Sequence, residues 1–110
     1  MELLASDLLR EVKLLAAEKP DAIYAKQKGR CWYTKGEAGG EYGCIIGQAI
    51  KRLNPELFIS LKFGEEAGLN YETVGTLVDL GLIEGDICKL SEIQYSQDIG
   101  WKWGDCIWPR

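Results

Sequence analysis

Residues 87–103 read ICKLSEIQYSQDIGWKW. Ile87, Leu90, Gln94, Gln97 and Trp101 recur at spacings of three and four, which puts them on one face of a helix. The spacing predicts a helix from about Asp86 to about Asp98, with Gly100 just past its end. The first two members of the face are apolar and the next two are amides. Ile93 flanks the stripe, and Asp98 lies one turn beyond Gln94, within hydrogen-bonding reach along the helix. An amide turned inward brings two donors and an acceptor oxygen, and each needs a partner. Leaving a buried polar group unsatisfied costs about 1–3 kcal/mol. The direction in which this face points therefore decides how the chain packs.

Three arrangements compete. The helix end is exposed and the amides face water, or the amides and Asp98 bond the irregular backbone between Cys31 and Cys44, or they line a ligand or partner site. The internal network is preferred, with Cys31, Tyr33, Cys44, Gln94, Gln97 and Asp98 as its members. Asp98 sits near a helix C-terminus, where the dipole favours cations, so it calls for a specific partner such as a backbone N–H or an Arg or Lys side chain. The tryptophans that follow carry two roles. Trp101 and Trp103 are expected to close the core, each indole N–H finding an acceptor, and Trp108 is the exposed contact. Trp32, Trp103 and Trp108 are the aromatic candidates for contact with a partner.

The rest of the chain surrounds this helix. Residues 3–18 form an amphipathic stripe through Leu4, Leu8, Val12 and Leu15, with Leu9 and Ala16 beside it, and Pro20 stops it. From 21 to 44 the texture changes. Ile23, Tyr24, Cys31, Trp32, Tyr33 and Thr34 favour extended chain, punctuated by Gly29, Gly36, Gly39, Gly40 and Gly43, so a short hairpin carrying Cys31 is expected. CIIGQAIKRLNP, residues 44–55, returns to helix, with Ile45, Ile46, Ala49, Ile50 and Leu53 on its apolar face. Gly47 in mid-helix costs about 1 kcal/mol relative to alanine, and close approach of another backbone is the expected offset. Asn54 before Pro55 is an N-cap and first helical residue, opening a short helix that buries Leu57, Phe58 and Leu61 and ends near Gly64. Asn70 is placed to cap the next, with Val74, Leu77 and Val78 inward and Gly81 as terminator. The expectation is a single globular domain over residues 1–110. Its class is α+β, mostly helical, with four or five helices around one core and a small two- or three-stranded β element.

Composition excludes several classes. The chain has 110 residues and a net charge of -4. Residues 1–53 carry nine Lys/Arg against seven Asp/Glu, giving +2, and residues 54–110 carry four against ten, giving -6. Lys26, Lys28, Arg30 and Lys35, beside Trp32 and Tyr33, form the one strip suited to phosphates, but a solvated face is the better reading in an acidic chain, and nucleic acid is not expected as a partner. No apolar run is long enough for a bilayer, and the charged start is unlike a signal peptide, so a reducing cytoplasm is expected. GEAGGEYG, residues 36–43, lacks the Gly-Lys-Ser/Thr ending of a phosphate loop. Cys31, Cys44, Cys88 and Cys106 include no close-spaced pair and the chain has no histidine, so neither a metal nor a cofactor is expected. Cys88 and Cys106 read as small buried hydrophobes. Without histidine the usual base for a Ser or Cys nucleophile is missing, which favours a protein that is not an enzyme. Asp98 beside Gln94 and Tyr33 is the one grouping suited to acid–base work.

Several short elements recur in a recognisable order. Pro20, Asp21 and Tyr24 give P-D-x-x-Y, and Cys31 with Tyr33 gives C-x-Y. Cys44, Ile45, Ile46, Gly47 and Ala49 give C-I-x-G-x-A, and Gln94, Gln97, Asp98, Gly100 and Trp103 give the closing Q-x-x-Q-D-x-G-x-x-W. In order and spacing the chain resembles a family of small uncharacterised proteins encoded by bacteriophages that infect actinobacteria. The resemblance covers roughly residues 10 to 106, with no motif between about 54 and 85. It implies a phage origin and the cytoplasm of an infected bacterium, and it implies no activity. It also implies that the loop cysteines and the Q-x-x-Q-D element belong together. Cys106 departs from the pattern, where alanine is expected. The function expected is that of a non-enzymatic protein-binding module that modulates a host or defence factor, its partner a bacterial host protein. The alternative is a small-ligand-binding protein or minor enzyme with a polar pocket at Cys31, Tyr33, Gln94 and Asp98.

Overall fold

The computed structural model describes residues 3–23, 33–34, 44–68 and 74–108. Among these the order is β1 (Leu3–Leu4), α1 (Ala5–Glu18), α2 (Ile45–Leu53), α3 (Pro55–Glu66), α4 (Val74–Asp79), β2 (Ile83–Glu84), α5 (Cys88–Asp98) and α6 (Trp103–Ile107). The fold is a mostly helical α+β arrangement, as the periodicity predicts.

The N-terminal helix starts at Ala5. No side chain caps it, and Leu4 has extended backbone, so Leu4 is half exposed rather than part of the stripe. Leu3 is buried instead, its N–H donating to the Leu82 carbonyl at 3.0 Å. This starts a parallel pair in which Leu3 faces Ile83 and Leu4 faces Glu84. The two described strands belong to other stretches of the sequence than the expected hairpin, most of which lies outside the described residues. Strands of two residues show no alternation for sequence to reveal. Cys31, Trp32, the basic strip and the glycine loop lie outside the described residues.

Leu8, Val12, Leu15 and Ala16 of α1 are fully buried, and α1 packs chiefly on α2, whose Ile45, Ile46, Ala49 and Ile50 are equally hidden. Each such Leu, Ile or Val side chain contributes about 1.5–3 kcal/mol by leaving water. Across the outer side of this pair Arg52 grips Glu18 through two hydrogen bonds of 2.7 Å and reaches Glu11 at 3.2 Å. The Asn54 side-chain oxygen accepts from the Leu57 N–H at 3.1 Å and Pro55 fills the first turn, so α3 begins where its signals place it. It does not stop at Gly64. Its buried face runs Leu57, Phe58, Leu61 and then Glu65, one helical turn further.

The last long helix begins at Cys88, two residues later than its pattern indicates, because the Asp86 carboxylate accepts from the Cys88 N–H at 2.9 Å and holds the approach in a turn. It closes at Gly100, whose φ of 100° lets the Gly100 N–H reach the Gln97 carbonyl at 3.0 Å and the Trp101 N–H reach Ser96 at 3.1 Å. The short α6 follows, beyond the four or five helices expected. Its first two N–H groups donate to the carbonyls of Ala22 and Pro20, at 2.8 and 2.9 Å, so it leans on the chain just after α1.

Candidate functional site

The inner edge of α5 carries the two amides into the core. Gln94 and Gln97 are both buried, which excludes the water-facing arrangement. The Gln94 side-chain oxygen accepts from the Val74 N–H at 2.9 Å, and its amide nitrogen donates to the Tyr33 hydroxyl at 2.8 Å. The Gln97 oxygen accepts from the Ile45 N–H at 2.7 Å, and its nitrogen donates to an Asp98 oxygen at 2.9 Å. Val74 and Ile45 are the first residues of α4 and α2. Their N–H groups have no partner within their own helices. One helix therefore caps two others, each through a glutamine one turn from the next.

Asp98 takes its amide donor from its neighbour Gln97. Gln94, one turn away, is turned instead toward Tyr33 and Val74. Asp98 is half-buried and stands at the helix end, where its negative charge opposes the dipole. The Cys44 sulfur accepts from the Gly47 N–H at 3.5 Å, so this thiol caps α2 from the chain side while Gln97 caps it from across the core.

Tyr33 and Thr34 are held by a residue absent from the sequence-level site. The Glu65 carboxylate accepts the Tyr33 N–H and the Thr34 N–H, each at 3.0 Å, and the Thr34 hydroxyl at 2.6 Å. Glu65 is buried. Charge-assisted bonds to backbone N–H groups are among the stronger polar contacts in proteins. On the far side of Tyr33 lies Gly47, where a Cβ would sit 1.7 Å from the Tyr33 carbonyl oxygen. The close backbone approach expected at Gly47 is made by Tyr33. Continuing the α3 stripe from Leu61 by four residues points at Glu65, a signal hidden by reading Gly64 as a terminator.

The aromatic residues divide differently from expectation. Trp103 is buried and presents no surface to a partner, and its Nε1 has no hydrogen-bond partner among the described residues. Trp101 is 44% exposed, not core, because the turn at Gly100 swings it outward. Trp108 is 54% exposed. Cys88 is exposed, not buried, and its thiol is pushed up by a hydrogen bond to Asp86 and by the Asp86 charge. Cys106 is buried, and burial, then the charges of Asp105 and Asp98, push its thiol up to about 11. Cys44 is a free thiol, while its relation to Cys31 falls outside the described residues.

The chain matches no protein-family model, no curated protein and no solved structure. The likeness to phage-encoded proteins thus stands on the quoted motifs alone.

Two cavities are lined by described residues, and neither touches the amide network. One, of about 210 Å³, lies against Asn54, Leu57 and Leu82. The other, of about 490 Å³, is an open groove on the outer side of α5, between Tyr95 and Trp101, with Cys106 also in its lining. Among the described residues no group of three or more His, Cys, Asp or Glu side chains could hold a metal ion, and no helix is long and apolar enough to cross a membrane.

Proposed function

We propose that the protein is a non-enzymatic protein-binding module acting in the cytoplasm on a bacterial host or defence factor. The observation that carries this reading is the groove bordered by Tyr95 and Trp101. Tyr95 is 67% exposed and Trp101 nearly half exposed, while the opposite face of α5 is turned to the core through Leu90, Ile93, Gln94 and Gln97. Large aromatic rings held at the surface of a small domain are the side chains that most often dominate protein–protein affinity. The bacterial source of the partner rests on the family resemblance.

The polar cluster argues against the ligand-binding alternative. Both polar ends of Gln94 and both of Gln97 are engaged inside the protein, and the Tyr33 hydroxyl already accepts from Gln94. A ligand entering there would have to break a helix cap.

The test is affinity capture from a bacterial lysate with the wild-type chain and with Tyr95→Ala/Trp101→Ala, followed by mass spectrometry. Both positions are exposed, so the double variant is expected to fold. A protein enriched by the wild type and lost with the variant supports the reading. Identical capture by both removes the groove from it.

A further inference from the structure

The lining of the α5 groove has a definite chemistry. The Trp101 N–H donates to the Ser96 carbonyl, which folds the chain back and sets the indole beside the outer face of α5. Tyr95 and Glu92 stand on that face, one turn apart, and both line the groove together with Trp101. The single cation among the described lining residues, Lys89, lies 3.7 Å from Glu92 on the same helix. Asp98 and Asp105 both act on the thiol of Cys106, another lining residue, so their charge is felt at the groove. Residues 54–110, to which every one of these belongs, carry a net charge of -6.

Two aromatic faces beside a carboxylate in a negative field are complementary to a cation. The π faces of tryptophan and tyrosine attract guanidinium and ammonium groups, tryptophan most strongly. A carboxylate at the same place fixes the cation by a charge-assisted hydrogen bond, best in the planar fork of arginine. An anionic or purely apolar occupant gains nothing from Glu92. We infer that the groove between Glu92, Tyr95 and Trp101 receives an arginine or lysine side chain from a basic segment of a partner protein. This rests on the protein-binding reading above and names the chemistry of the partner. Lys89 is then a competitor, its ammonium occupying the carboxylate that the incoming side chain uses.

The experiment uses the full chain, isotope-labelled and followed by NMR. The probes are blocked octapeptides alternating glycine with arginine, lysine, norleucine or glutamate. Arginine and lysine peptides are expected to shift the amides of residues 89–106 and the Trp101 indole, arginine more tightly. Glu92→Lys and Trp101→Ala each reduce that affinity by about ten-fold or more, Lys89→Gln raises it, and added salt weakens it. Equal binding of the norleucine peptide would show an apolar groove and overturn the inference. So would basic peptides that bind elsewhere or not at all. If the peptides fail while lysate capture still depends on Tyr95 and Trp101, the cation assignment falls and the protein-binding reading stands. If both fail, both fall.

Discussion

The Gln97 side-chain oxygen accepts the Ile45 N–H at 2.7 Å, across 52 residues of sequence. Ile45 opens α2, and its N–H belongs to the set that no α-helix can satisfy internally. In Gln97→Leu that donor stays buried without a partner, and stability is expected to fall by about 1–3 kcal/mol. Urea unfolding followed by circular dichroism measures this. A midpoint equal to that of the wild type would show that the bond contributes nothing.

Gly47 gives a prediction of opposite sign to helix propensity. Alanine in mid-helix is worth about 1 kcal/mol over glycine. Here its Cβ would meet the Tyr33 carbonyl at 1.7 Å, and the obstacle is backbone, which cannot swing aside as a side chain can. Overpacking of this kind costs about 1–3 kcal/mol or more, so Gly47→Ala is expected to destabilise. Thermal unfolding decides it, and a raised Tm would mean that the Tyr33 backbone does not press on Gly47.

Glu65 ties residues 33–34 to α3 through three hydrogen bonds. Glu65→Ala strands two backbone N–H groups and is expected to cost about 3 kcal/mol. Glu65→Gln keeps one acceptor oxygen and costs less. Equal loss in the two variants would point to packing of the side chain, not to its acceptors.

Much of this was readable from residue spacing. The stripe Leu8, Val12, Leu15 and the pair Asn54–Pro55 carry their own local signals, and the two glutamines stood out because they break an apolar rhythm. What spacing does not hold is the address of a long-range bond. Nothing local says that Gln94 reaches Val74 or that Gln97 reaches Ile45. Glu65 is hidden in the sequence because the glycine beside it resembles a helix end, although the helix continues. The two-residue strands and the five-residue α6 are too short to show any period, and both form because neighbours accept or donate their backbone hydrogen bonds.

The grip of Arg52 on Glu18 sets an acid limit. Its hydrogen bonds hold the Glu18 carboxyl below its ordinary 4.5, with the Arg52 charge adding to them. The unfolded chain therefore binds a proton more readily near that pH, so this contribution is present above 4.5 and lost as the pH falls through the lowered value. In Arg52→Met the dependence of stability on pH below 4.5 is expected to flatten. An unchanged slope from pH 5 to 3 would assign acid sensitivity to other carboxylates.

The thiols should separate by reactivity, since only the thiolate attacks an alkylating reagent. Cys88 is exposed but its thiol is pushed up by the hydrogen bond to Asp86 and by the Asp86 charge, and Cys106 is buried with its thiol raised to about 11. At pH 8, site-resolved mass spectrometry after iodoacetamide is expected to find Cys88 modified before Cys106, with Cys106 protected until the chain unfolds. Asp86→Asn removes the negative charge that holds the Cys88 proton and leaves a weaker, neutral acceptor, so its labelling should quicken while that of Cys106 does not change. Cys106 reacting as fast as Cys88 in the folded protein would show that burial does not shield its thiol.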